Sequence, residues 1–384
     1  MKRKVLLLQL LLMSFASYSQ DHEKVPPAEL NYQGHIALDF VNNFSGGIQK
    51  GHKLLALADF SLDYSPRQGL FKNTSFHGHL LKTAGGAPSE NIIGDIQIAS
   101  NIEGRSSRFI YELYFKQKLG DFIVSAGLHD LNTEFMFSDH AGNFVNSSFG
   151  IAPVISVNIP VSIFPVTTLG GYITYSTKKV EVSAGLYNLN HHFAEEESFR
   201  FENHLYQQGY LGVGELRYRF YSGNQITGEY KMGAFFKECD AQAGEDHLSI
   251  CNDEKNHGFY FVGDQLLTKT PSGKTLNAFV QWGLTPEKKN LASAYWGAGI
   301  SLQGFSSEYL PEQIGLAVGS VKLNEPEVAF YTDAKKFETV LELTSSFSLL
   351  NRLSFQPDFQ YIINPSGRYE NAFVLLLRLK ADLF

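Results

Sequence analysis

Charged residues recur at a spacing of two in this sequence. Arg217 and Arg219 fall within Gly212 to Phe220, Glu229 and Lys231 within Ile226 to Phe236, and Arg108 and Glu112 share one parity in the segment Arg108 to Lys116. Residues two apart lie on the same face of a β-strand, so adjacent segments offer charges of both signs to one side. Such a surface suits water or a polar solute that is held by hydrogen bonds and then let go. A second group stands in the stretch Gly127 to Pro165, where Glu134, Asp139, His140, Asn143 and Asn146 alternate with Phe135, Phe137 and Phe144. Those residues combine donors and acceptors with flat apolar faces.

Covalent and metal chemistry find less support. A lipase at a membrane rim needs Ser, His and an acid in one place, yet the sequence has no GxSxG and no His at a lipid-facing strand position. A glycosidase needs two carboxylates facing one cleft, and Glu112 with Glu215 or Glu229 supplies the residue types. Recovery without detergent would mark that reading. His77 and His79 form a pair that could hold a metal, but no third ligand follows at suitable spacing, so both read as inner-face polar residues. His191 and His192 beside Glu195, Glu196 and Glu197 read as a solvated loop tip. No cofactor is expected.

The elements that must position these residues are strands. Period-2 alternation is the commonest signal. In Gly212 to Phe220, Leu216, Tyr218 and Phe220 oppose Glu215, Arg217 and Arg219. In Ile226 to Phe236, Ile226, Tyr230, Met232 and Phe236 oppose Thr227, Glu229 and Lys231. In Arg108 to Lys116, Phe109, Tyr111, Leu113 and Phe115 form the apolar face. Thr275 to Trp282 sets Leu276, Val280 and Trp282 against Asn277, Phe279 and Gln281. One face of each suits hydrocarbon and the other water, as in a transmembrane β-barrel.

Composition agrees with sheet. Aromatic residues make up 14% of the chain, with 34 Gly and two Cys, a mixture rich in strand and turn formers. A mean hydropathy of -0.14 fits alternation, and soluble β-proteins share it. Residues 1–19 read as a signal peptide: Lys2, Arg3 and Lys4 precede an apolar run from Val5 to Met13, and Ser17 and Ser19 stand three and one residues before a cut ahead of Gln20. That run is too short to span a bilayer, which takes about 20 residues. Without the three basic residues, 29 Lys and Arg remain against 39 Asp and Glu, a formal charge of -10. This argues against nucleic acid as a partner.

Seventeen segments show strand character, among them residues 33–45 and 92–102. Bacterial single-chain barrels have an even number of strands, with short turns at one end and longer loops at the other. Connection lengths counted back from the C-terminus alternate, and they put Gly127 to Pro165 on the outer side. Setting 33–45 aside gives sixteen strands, with eighteen as the alternative. Residues 20–52 are then a periplasmic or lumenal segment, and 53–384 form the barrel. The stretch after Leu131 becomes the third outer loop. Its second half holds nine Phe, Ile or Val residues and no charge, so it is expected to fold back into the barrel. Connections of this length in compact domains are usually functional.

Seven strings carry a resemblance: LLALADFSLDYSP, NIIGDIQIASNIEG, RFIYELYFKQKLG, GLHDLNTEFMFSDHAGNFVNSSFG, SIFPVTTLGGYITY, ETVLELTSSFSLL and LSFQPDFQYIINPSG. In this order they resemble the carbohydrate-selective porins of the OprB family, over about Lys53 to Phe384. The resemblance implies an all-β, sixteen-stranded antiparallel barrel in the outer membrane, not an enzyme, through which mono- or small oligosaccharides diffuse passively. The alternatives are a general non-selective porin or a secreted β-rich glycosidase. The solute path would run past Glu134, Asp139, His140, Asn143, Phe144 and Asn146 of the loop and past Arg108, Glu112, Arg217, Arg219, Glu229 and Lys231 of the wall. Implied partners are carbohydrate solutes, outer-membrane lipid and the barrel-assembly machinery, the last through the terminal Phe384. The protein would be a monomer or homotrimer. Phe384 is out of step with the apolar face of Phe373, Leu375, Leu377 and Leu379, which calls for a bulge or a loosened last residue. Cys239 and Cys251 sit in one outer loop of an exported chain and are expected to pair, since disulfides persist in oxidising compartments.

Overall fold

The structure is a computed structural model that describes residues 28–104, 110–189, 209–239, 255–305, 311–324 and 334–384. The first eight strands are β1 (Ala28–Gly47), β2 (Gly51–Pro66), β3 (Thr74–Gly85), β4 (Ile110–Leu119), β5 (Phe122–His129), β6 (Thr168–Ser176), β7 (Val180–Asn188) and β8 (Tyr210–Ser222). They are followed by β9 (Gln225–Glu238), β10 (Lys255–Lys269), β11 (Thr275–Leu284), β12 (Ala292–Gln303), β13 (Gln313–Leu323), β14 (Phe337–Leu350), β15 (Leu353–Ile363) and β16 (Glu370–Asp382). Each pairs antiparallel with its sequence neighbours, and β1 pairs with β16, so the sheet closes. Closure removes both edges.

The count of sixteen holds, against eighteen, but the segment set aside was the wrong one. Residues 33–45 lie within β1, which carries the whole seam with β16 from His35↔Asp382 to Gly47↔Glu370. Placing residues 20–52 outside the barrel is therefore corrected for Ala28–Gly47. Residues 92–102 form no ladder. Gly94 and Ile98 take positive φ, and the N–H groups of Ile96 and Gln97 donate to the Glu338 carboxylate instead of to a neighbouring strand. Two errors of one strand each cancelled, so the third connection on the long-loop side is still the one between β5 and β6.

Alternation follows the expected faces with one exception. Leu216, Phe220, Met232, Val280 and Trp282 are exposed, while Glu215, Arg217, Lys231, Asn277, Phe279 and Gln281 are buried. Tyr111, expected on the apolar outer face, is buried. The register of β3 with β4 shifts between His79↔Glu112 and Leu80↔Ile110, leaving Tyr111 as the extra residue. The bulge turns its ring inward, where its hydroxyl donates to Asp130.

At the C-terminus β16 ends at Asp382; the Leu383 N–H still donates to the Gly34 carbonyl over 2.8 Å, and the last residue leaves the ladder. Phe384 then crosses to the outer face, its ring 5.2 Å from Tyr32 and 5.9 Å from Phe60, both edge-on. A loosened end thus resolves the mismatch in parity.

The β1/β16 seam is fastened on the inside by Arg378, whose Nε and Nη2 each donate over 2.8 Å to the two oxygens of fully buried Asp39. Bidentate geometry makes this a strong pair. Arg378→Leu would leave the Asp39 carboxylate buried without its cation, at a cost of about 3–5 kcal/mol. The expected result is a lowered urea midpoint of the folded barrel in detergent, partly restored by adding Asp39→Asn. An unchanged midpoint in the single variant would show that the pair contributes little.

Candidate functional site

Residues 130–167, between β5 and β6, fold into short turns of their own and take further partners from the barrel wall. The N–H of Met136 donates to Glu215 on β8 over 2.9 Å. Ser138 Oγ, the N–H of Asp139 and the N–H of His140 all donate to Asp264 on β10, at 2.5, 3.2 and 3.2 Å. The N–H groups of Val145 and Asn146 donate to Glu342 on β14, at 2.6 and 3.0 Å. The Asn146 amide donates to Gln360 on β15, Gln281 on β11 donates to the Phe149 carbonyl, and Gln356 on β15 donates to the Asn143 carbonyl. The strands holding this one connection run from β8 round to β15.

Apolar anchors accompany the polar ones. Phe144, Phe149 and Phe279 form a buried triangle with ring centroids 5.4–5.7 Å apart. A Cβ at Gly315 would lie 2.8 Å from the Phe144 ring, and one at Gly283 would lie 2.5 Å from Val154. At these two points the wall lacks side chains so that the loop can approach. Phe135 packs edge-on against Tyr172 and Tyr187.

The basic residues of the wall meet at Phe137. The Arg217 guanidinium carbon lies 4.8 Å and Lys231 Nζ 3.5 Å from its ring centroid, a double cation–π arrangement. Lys231 is fully buried, donating to the Phe137 carbonyl and pairing with Glu229. Arg217 spans Glu181, Glu215 and the Glu134 carbonyl. Arg219 bridges Glu181 and Glu229. On the neighbouring part of the wall, Lys116 pairs with Glu134 at 2.5 Å, and Tyr172 donates to the same carboxylate.

The expected site residues therefore divide. Phe144, Asn146, Arg217 and Lys231 are buried and hold the connection. Glu134, His140, Asn143, Arg219 and Glu229 are half-buried, and Asp139 is exposed. Glu112 is buried and accepts the N–H of Asp130. Arg108 lies outside the described residues. Cys239 is disulfide-bonded, while Cys251 lies outside the described residues, as do His191 and His192. The sequence reading missed Glu181, Asp264, Glu338 and Glu342, and it took Glu215 as an inner-face acid and a glycosidase candidate only. Their signal was an acidic residue at inner-face parity, which marks every one of them but does not say which loop amide it receives.

The shorter connection between β3 and β4 is also held by acids, buried Glu338 and half-buried Glu103. Glu103 accepts the Ser89 N–H, and Glu338 accepts those of Ile96 and Gln97. Burial pushes Asp95 up to about 6, and burial with repulsion from Asp95 pushes Glu103 up to about 8.

The family model for the OprB carbohydrate-selective porins matches residues 57–383. The chain belongs to that family. The high-pH structure of Pseudomonas putida OprB is similar over 92% of this chain and 94% of that one, with a TM-score of 0.78 at 18% identity. The outer membrane channel DcaP of Acinetobacter baumannii is similar over 95% of this chain and all of that one, with a TM-score of 0.55 at 10% identity. At such identities these two share the fold. Among curated proteins none matches the sequence. As an OprB-family member with a closed sixteen-stranded barrel, the protein is a passive carbohydrate channel of a Gram-negative outer membrane.

Two consequences can be measured. Asp264→Ala removes one acceptor from three loop donors, each bond to a charged group being worth about 1.5–3 kcal/mol. Larger or noisier single-channel conductance is expected, with the folded band on unheated gels unchanged; wild-type conductance would show that this anchor does not restrain the loop. The second concerns pH. Folded values above the ordinary 3.8 and 4.5 mean that Asp95 and Glu103 favour the folded loop fully below those ordinary values, and that this contribution fades as pH rises through about 6 and 8. Protease cleavage within residues 86–104 is expected to rise between about pH 5 and about pH 9. A flat profile would contradict the linkage.

Proposed function

We propose that the connection after β5 crosses the barrel interior and sets the narrowest section of the channel, and that mono- or small oligosaccharides pass it. The observation that carries this reading is the spread of its hydrogen-bond partners from β8 to β15. A segment that starts at β5 and returns at β6 reaches those strands most directly through the interior. Glu134, Asp139, His140 and Asn143 would meet the solute from the loop, and Arg219, Glu229 and Glu181 from the wall. These groups exchange hydrogen bonds with hydroxyls without a deep well, as conduction requires. Phe144, Asn146, Arg217 and Lys231 would act by holding the loop in place. Export through cleavage before Gln20, presentation of Phe384 to the assembly machinery and a monomeric or trimeric state complete the proposal.

Liposome swelling with glucose, maltose and an amino acid of similar size tests it. The sugars are expected to enter faster than the amino acid, and glucose faster than maltose. Equal rates for all three would support a general porin and remove the constriction's selectivity. Asp264→Ala should narrow the differences among the three solutes.

A further inference from the structure

The structure supplies the third ligand that the sequence left missing beside His77 and His79. Glu112 stands opposite His79 across the β3/β4 ladder, and Tyr111, the bulged residue, directly precedes it. Glu112 Oε1 accepts the Asp130 N–H, which leaves Oε2 aimed at the two imidazoles. Oε2 lies 3.3 Å from His79 Nδ1 and 3.7 Å from His77 Nε2, and all three ligand atoms lie within 4.8 Å of one another. The first two distances exceed an ordinary N–H···O bond of about 2.7–3.2 Å. They approach the roughly 3.3–3.5 Å between neighbouring ligands around a tetrahedral ion with bonds of about 2.0–2.2 Å.

The surroundings also suit a cation. His77 Nδ1 contacts Asp63 Oδ1 at 2.8 Å, the carboxylate–histidine arrangement that fixes the tautomer of a metal-bound ring. The His77 ring is held against Tyr114, 4.7 Å between centroids and nearly parallel. His79 Nε2 is buried and meets no protein partner, so the ring's polar contact is the one with Glu112. Among the described residues, Lys116, which lies over the Tyr114 ring, is paired with Glu134. The side chains of His77 and His79 keep 14% and 18% of their exposure, so solvent reaches the cluster and a water or solute oxygen is available as the fourth ligand.

We infer that His77, His79 and Glu112 form a binding site for a divalent transition metal of the zinc class on the inner wall of the barrel. Asp63 is its positioning residue.

The test uses untagged, chelator-treated, folded protein in detergent. Titration with zinc chloride is expected to show one site, and Co2+ added to the same protein should give the visible absorption of a four-coordinate ion. His79→Ala and Glu112→Gln should each weaken zinc binding by about a hundredfold or more, the latter keeping an acceptor for the Asp130 N–H. Asp63→Asn, a change at a half-exposed residue, should weaken it by about tenfold. Should His79→Ala fail to fold, Asp63→Asn and the cobalt spectrum of the unaltered protein decide. Absence of the four-coordinate spectrum, or zinc affinity unchanged in Asp63→Asn and Glu112→Gln, would overturn the site.

Discussion

Carboxylates on the inner face of the wall, each receiving backbone N–H groups from a connection, are the interaction on which this barrel's interior depends. In a closed sheet the ladder consumes the backbone donors and acceptors of the strands. A segment packed against such a wall finds no ladder to join, yet its own buried amides still need partners. Glu112, Glu215, Asp264, Glu338 and Glu342 answer that need from four different strands. A carboxyl group offers several lone-pair sites and can serve two or three donors. One or two side chains per strand are thus enough to fix several loop residues.

This division of labour explains why Arg217 and Lys231 are so fully enclosed. A buried cation costs several kcal/mol unless it is paired. Lys231 is paired with Glu229 and capped by the Phe137 carbonyl and ring, so its charge is spent on holding the loop. Arg219, one step along the strand toward the turn at Gly223, keeps more of its surface while bridging Glu181 and Glu229. A closed, loop-anchoring position and a more open one therefore fall to neighbouring residues of the same strand, two apart, on the same face.

Much of the wall was legible because a strand's period is insensitive to its partners. Leu216 against Arg217 or Val280 against Gln281 declares its face from the sequence alone. The seam was harder. Residues 33–45 alternate weakly, with Asn42 and Asn43 near their end, and their role as β1 depends on a partner more than 330 residues away at Arg378. Residues 92–102 alternate well but are occupied by a carboxylate from β14. Tyr111 shows the same limit, since a single extra residue reverses a face and leaves no mark in composition. The identity of the loop's anchors was illegible for a related reason: an inner-face Glu is equally suited to water, to a solute and to an amide.

The charges around Phe137 also bear on which solutes the wall suits. Arg217, Arg219 and Lys231 face Glu181, Glu215 and Glu229, three cations against three carboxylates within ion-pair distance. Two unit charges 4 Å apart interact by about 4 kcal/mol at an effective dielectric of 20, so an unbalanced charge here would capture or repel ions strongly. In a balanced set those fields cancel beyond the pair spacing, while each oxygen and N–H still offers a short-range hydrogen bond. A neutral polyhydroxylated solute gains from the second property and is indifferent to the first. The same pairing that holds the loop thus gives the wall a chemistry matched to sugars more than to ions.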